Sequence, residues 1–131
     1  MRLLLDTHIW LWYASGDERL RPFLRAAVAS REHELWLSAV SLWEITLLSY
    51  KGRVDLDPDL RSWLPAGLAA AGVREAPLTA QIALAAHELN WSHRDPADRL
   101  LAATAKVMHM VLMTADERLL RLPGIAVLAN R

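Results

Sequence analysis

Arg2-Leu3-Leu4-Leu5-Asp6-Thr7-His8 runs three apolar residues directly into a carboxylate. Such a run predicts a short strand buried on both faces, and strands of that kind belong to parallel sheets. Open α/β sheets collect ligands just beyond the carboxyl ends of their strands, so Asp6 stands where chemistry is usually done.

Outward from this strand the pattern alternates. Residues 9–13 predict the start of a helix that Thr7 can cap, broken at Ser15-Gly16-Asp17. From Glu18 onward Leu20, Phe23, Leu24, Ala27 and Val28 share one helical face, with Pro22 in the first turns. Leu35-Trp36-Leu37 reads as a second buried strand, and Ser38 caps a helix that runs to about Tyr50 and ends at Gly52. Asp57-Pro58 opens a helix to about Ala71 that Pro65 would kink or interrupt, with Gly72 closing it. Residues 73–76 give a third strand, and Thr79 caps a helix to about Leu89. After a polar loop over residues 91–94, Asp95-Pro96 starts an alanine- and leucine-rich helix to about Met108. Residues 111–114 form a fourth strand, 116–120 a short helix and 125–128 a fifth strand. Strands alternating with helices predict a single domain over residues 1–131, a three-layer α/β/α fold around a central, mainly parallel five-stranded sheet. Strand one belongs inside that sheet, because it is apolar throughout and lacks edge charges.

Composition excludes several classes of function. With no cysteine among 131 residues, neither a disulfide framework nor a thiolate zinc site can be built. Asp6 interrupts the apolar N-terminus and no small-residue cleavage site follows, so neither a signal peptide nor a membrane span is expected, and a cytoplasmic protein fits best. Fifteen basic and fifteen acidic side chains cancel, so no global field draws in nucleic acid and a polyanion must be held locally. A hydrophobic fraction of 53% with six tryptophans exceeds what one small core swallows, which leaves surface for a partner.

Four acids occupy positions that the sheet brings together: Asp6, Glu44, Asp98 and Asp116. Three of them have plainer roles open to them, since Asp6 and Asp116 could cap helices and Asp98 could answer the positive end of a helix dipole. Glu44 is harder to dismiss. Its neighbours one turn away are Val40, Leu47 and Leu48, so an acid lies on an apolar face and needs a cation, a hydrogen-bond partner or a proton. An arginine partner is one alternative. Four converging carboxylates raise one another's pKa unless a divalent cation compensates them, and Mg²⁺ or Mn²⁺ suits all-oxygen ligands.

At these residues the chain resembles a known family. Leu3-Leu4-Leu5-Asp6-Thr7-His8, Ser38-Ala39-Val40-Ser41-Leu42-Trp43-Glu44-Ile45, Asp95-Pro96-Ala97-Asp98-Arg99-Leu100-Leu101-Ala102-Ala103-Thr104-Ala105 and Leu112-Met113-Thr114-Ala115-Asp116 resemble the four acidic motifs of PIN-domain ribonucleases. They are most similar to the VapC toxins of type II toxin–antitoxin pairs. The resemblance assigns Asp6, Glu44, Asp98 and Asp116 to a metal site, with Thr114 in support. It favours Asp98 over Asp95, which then reads as a cap beside the site. Where many relatives carry a lysine one turn after the second acid this chain has Leu48, so a basic contact is missing or supplied by Lys51.

The resemblance implies a Mg²⁺- or Mn²⁺-dependent endoribonuclease, a VapB-like antitoxin and a homodimer. Around the acids, His8, Arg94 and Arg99 are candidate substrate contacts, with structural or solvated roles as the alternative. Trp10, Trp12, Tyr13 and Trp43 could stack on bases or receive a partner helix, though core packing suits most of them better. Two other functions stay open. A metal-dependent phosphatase attacking through Asp6 would want a second acid two positions on, where His8 stands; a non-catalytic PIN-like binding module would have no need of all four acids.

Overall fold

The strand that ends in Asp6 lies at the centre of the sheet. A computed structural model describes residues 1–52 and 59–131 of the chain, so the expected cap at Asp57-Pro58 lies outside the described residues. Five strands, β1 (Arg2–Leu5), β2 (Glu34–Ser38), β3 (Val73–Ala76), β4 (Val111–Thr114) and β5 (Ala126–Ala129), form one sheet in the order β3-β2-β1-β4-β5. Every pairing is parallel, so the sheet is wholly rather than mainly so. Leu3 pairs with Leu35 on one side and Val111 on the other, and the three leucines of β1 are fully buried.

Alternation along β1 divides the core into two layers. Leu3 and Leu5 point into a cluster with Ile9, Trp10, Leu24, Leu37 and Ile45, which α1 (Thr7–Ser15), α2 (Pro22–Ala29) and α3 (Ala39–Tyr50) supply together with β2. Leu4 points the other way, toward Leu101, Ala102, Ala105 and Leu119 of α6 (Pro96–Val107) and α7 (Glu117–Leu120). Alanines on α6 let that helix lie close against the sheet, and α5 (Ala80–Glu88) packs on it through Ile82, Ala86 and Ala103.

Three local expectations give way to physical competition. The cap of α1 is Asp6, not Thr7, because the carboxylate accepts the Thr7 N–H and frees Thr7 to start the helix. α2 begins only at Pro22, whose fixed φ and missing N–H suit the first helical position; the residues before it make a turn. α4 (Leu60–Ala71) runs unbroken through Pro65. The carbonyl that loses its partner there belongs to exposed Arg61, where water can replace the bond. The other expected caps, Ser38, Thr79 and Asp95, all accept N–H groups of their own helices, and Gly72 closes α4 in the left-handed conformation. Among the described residues no helix is long and apolar enough to cross a membrane.

Candidate active site

All the strands point the same way, so the residues that follow β1 and β4 emerge at one edge. Asp6 leaves β1 with its Oδ1 accepting the Thr7 N–H at 2.7 Å and its Oδ2 accepting the Thr114 hydroxyl at 2.7 Å. Thr114 ends β4 with no solvent exposure, and its Oγ1 also accepts the Asp116 N–H at 3.0 Å. One buried hydroxyl therefore ties two acids to two strands.

Glu44 reaches the same edge from the middle of α3, where its Oε1 accepts the Thr7 hydroxyl at 2.7 Å. Asp98 lies in the first turn of α6 and donates its backbone N–H to the Asp95 carboxylate at 3.1 Å, while its Oδ2 accepts from His93 Nε2 at 2.7 Å. Asp116 caps α7 and pairs with Arg118 at 3.3 Å. Asp6, Glu44, Asp98 and Asp116 all line one cleft of about 530 Å³, together with Asp95, His8, Trp12, Arg19 and Arg118.

Charge in this cleft is poorly compensated. Burial raises the Asp6 pKa, and the Asp98 charge adds to it; the Thr114 hydroxyl, the Thr7 N–H and His8 pull the other way without cancelling it. Burial likewise raises Glu44, against the Thr7 hydroxyl and with the charges of Asp6, Asp98 and Asp95. Asp98 is raised by burial and by Asp95 and Asp116, against the bond from His93. Asp116 alone of the four is lowered, because the hydrogen bonds and charge of Arg118 outweigh its partial burial. An oxygen-rich donor set in which three of four acids resist ionisation fits a hard divalent cation, which would stabilise the charged forms. His93, Asp95 and Asp98 also offer ligand atoms that all lie within 4.8 Å of one another.

The remaining sequence candidates divide. His8 and Asp95 line the cleft, Asp95 as the cap of α6. Arg99, a candidate substrate contact with a structural or solvated role as the alternative, does not: its guanidinium donates to the carbonyls of Ala86, Leu89, Trp91 and His93, so its hydrogen-bonding capacity goes into holding a loop. Arg94 is exposed and lies outside the cleft lining. Leu48, in place of the lysine of many relatives, packs against the core, and exposed Lys51 at the C-cap of α3 lies outside the lining as well. Trp10 is buried, as core packing predicts, whereas Trp43 is 61% exposed. Sequence reasoning missed His93, Arg19 and Arg118. The available signal was proximity, with His93 two residues before the Asp95 cap and Arg118 two residues after Asp116.

Comparison with known proteins gives the family and the fold. The PIN-domain family profile matches residues 3–125, and the chain belongs to the PIN-domain family. Ribonuclease VapC22 of Mycobacterium tuberculosis (strain ATCC 25618 / H37Rv) is 37% identical over 120 residues, which span 89% of this chain and 88% of that protein. The similarity to VapC proteins that the four acidic motifs carry thus extends along most of the chain. Two solved complexes share the fold. VapBC2 from Rickettsia felis, bound to a DNA fragment from its promoter, matches with a TM-score of 0.72 at 18% identity over 98% of each chain. DNA-bound VapBC from Salmonella typhimurium matches at 0.69 and 18%, covering 100% of this chain and 99% of that one.

Proposed function

We propose that this protein is a Mg²⁺- or Mn²⁺-dependent endoribonuclease, the VapC-like toxin of a type II toxin–antitoxin pair, hydrolysing phosphodiester bonds in RNA. The observation that carries this reading is the convergence of Asp6, Glu44, Asp98 and Asp116 on one cleft at the carboxyl edge of a parallel sheet. The ribonuclease name of the 37% identical relative supports the choice of substrate.

Asp6, Glu44, Asp98 and Asp116 would hold the cation. Once bound, such an ion polarises a phosphoryl oxygen and lowers the pKa of an attacking water. The chain's own part is positioning. Asp6 enters with both oxygens fixed by Thr7 and Thr114, so no reorientation is needed when substrate arrives. Arg19 and Arg118 line the cleft at its exposed side and are the cations placed to meet phosphate oxygens locally, as a chain of zero net charge requires.

The partner reading places a VapB-like antitoxin on the helices that follow β1. There, α1, α2 and α4 enclose a groove of about 650 Å³ walled by Trp10, Tyr13, Arg25 and Trp63. Among the described residues the buried Trp10 Nε1 has no hydrogen-bond partner, which leaves one unspent donor beneath the wall of that groove. Exposed Trp43 and Tyr50 on α3 and Leu84 on α5 suit the homodimer that the resemblance implies.

The deciding experiment compares the parent with Asp6→Asn on a labelled single-stranded RNA and on a phosphate monoester, each with and without Mg²⁺. The parent cuts RNA only with the metal and ignores the monoester, while Asp6→Asn loses cleavage by at least about a hundredfold yet folds. Monoester hydrolysis would favour a phosphatase, and an inert parent a binding module.

A further inference from the structure

We propose that His93 is a positioning residue that sets the orientation of the Asp98 carboxylate for cation binding. His93 Nε2 lies 2.7 Å from Asp98 Oδ2, and both side chains are largely buried, at 14% and 17% exposure. The ionised carboxylate has only acceptors, so the ring nitrogen carries the hydrogen and donates it. This contact fixes rotation about the last bond of a short side chain whose backbone is already pinned by the Asp95 cap.

The loop that carries His93 is itself built to hold it. Residues 89–95 contain no helix or strand, so their position depends on side chains. Arg99, one residue beyond Asp98, holds the His93 carbonyl at 3.0 Å and the Trp91 carbonyl at 2.8 Å, and reaches on to Leu89 and Ala86. Trp91 packs against the second core layer and meets the His93 ring edge-on, with centroids 4.8 Å apart. One turn of α6 thus presents Asp98 to the cleft and, through Arg99, fixes the residue that aims it. Partners of this kind, one shell out from a metal, typically alter metal affinity or activity ten- to a hundredfold when removed.

The inference rests on the metal-site reading above, and its test keeps the two apart. Mn²⁺ affinity is measured by titration calorimetry, and RNA cleavage by kcat and KM, for the parent and for H93F, H93Q and H93N. Phe keeps a ring against Trp91 but has no donor; Gln can place an amide nitrogen near the position of Nε2, whereas Asn reaches only as far as Nδ1. The expected result is Mn²⁺ binding weakened roughly ten- to a hundredfold in H93F and H93N and nearly restored in H93Q, with kcat falling and KM little changed. H93F binding Mn²⁺ like the parent, or H93Q as weak as H93F, overturns the inference and leaves the nuclease reading intact. A parent that binds no Mn²⁺ overturns both. Should the variants fail to fold, nitrogen-15 spectra of the parent decide: an Nε2–H ring whose signals move in Asp98→Asn supports the role, and an Nδ1–H ring refutes it.

Discussion

Asp6 and Asp116 both follow a central strand, both cap a helix and both lean on the Thr114 hydroxyl, yet their acidities shift in opposite directions. Around Asp6 the donors are a hydroxyl and a backbone N–H in a buried setting, so the charge is held in place without being neutralised. Asp116 sits nearer solvent and brings its own cation in Arg118. The same local motif therefore yields one carboxylate that lacks a counter-ion and one already compensated. The difference teaches that burial and neighbouring charge, not the cap itself, set how readily each acid ionises.

Thr114→Val tests the link between the two ends and carries the largest effect. The substitution keeps the shape but strips the donor from Asp6 and the acceptor from the Asp116 N–H. Chemical denaturation shows a loss of about 1–3 kcal/mol, and cleavage falls roughly tenfold or more. Thr114→Ser restores both. A Val variant as stable and active as the parent would break the comparison at its centre.

Metal-free stability against pH gives an intermediate effect. Asp6, Glu44 and Asp98 have folded pKa values raised above their unfolded ones, so through that window the native state holds protons the unfolded chain has released. Stability therefore falls as pH rises through it. Asp116, being lowered, works the other way: its contribution is present above the ordinary carboxylate pKa and is lost as pH falls through its folded value. Thermal melts without metal should show higher stability at about pH 5 than at about pH 7.5, and saturating Mg²⁺ should raise the melting temperature more at the higher pH. A flat profile with no metal effect would mean that the acids do not share a field.

The smallest effect belongs to Arg118→Gln. An exposed ion pair adds little to stability, so the melting temperature should stay within experimental scatter. Carbon-13 titration of the Asp116 carboxyl should show its pKa moving up toward the ordinary value. If it does not move, Arg118 is not what separates Asp116 from Asp6.

Much of this was legible in the chain itself. Leu3-Leu4-Leu5 flanked by helical patterns specified a buried parallel strand, and Asp95-Pro96 marked a helix start to the residue, because caps and prolines act over a few bonds. The four acids could be named because each directly follows a strand or stands in a local apolar pattern. Arg99 shows where that reasoning stops. An arginine beside an acid looks like a phosphate contact in sequence, and only the path of residues 86–93 around α6 turns its guanidinium onto four carbonyls. Nothing local distinguished His93 from any loop histidine, since its partner is chosen by how that loop folds back. The bond between Thr114 and Asp6 spans 108 positions and exists because β1 and β4 are neighbours in the sheet. Sequence determined which residues could carry charge and where elements begin; strand order and burial, which depend on the whole chain packing at once, decided which charges meet and which go uncompensated.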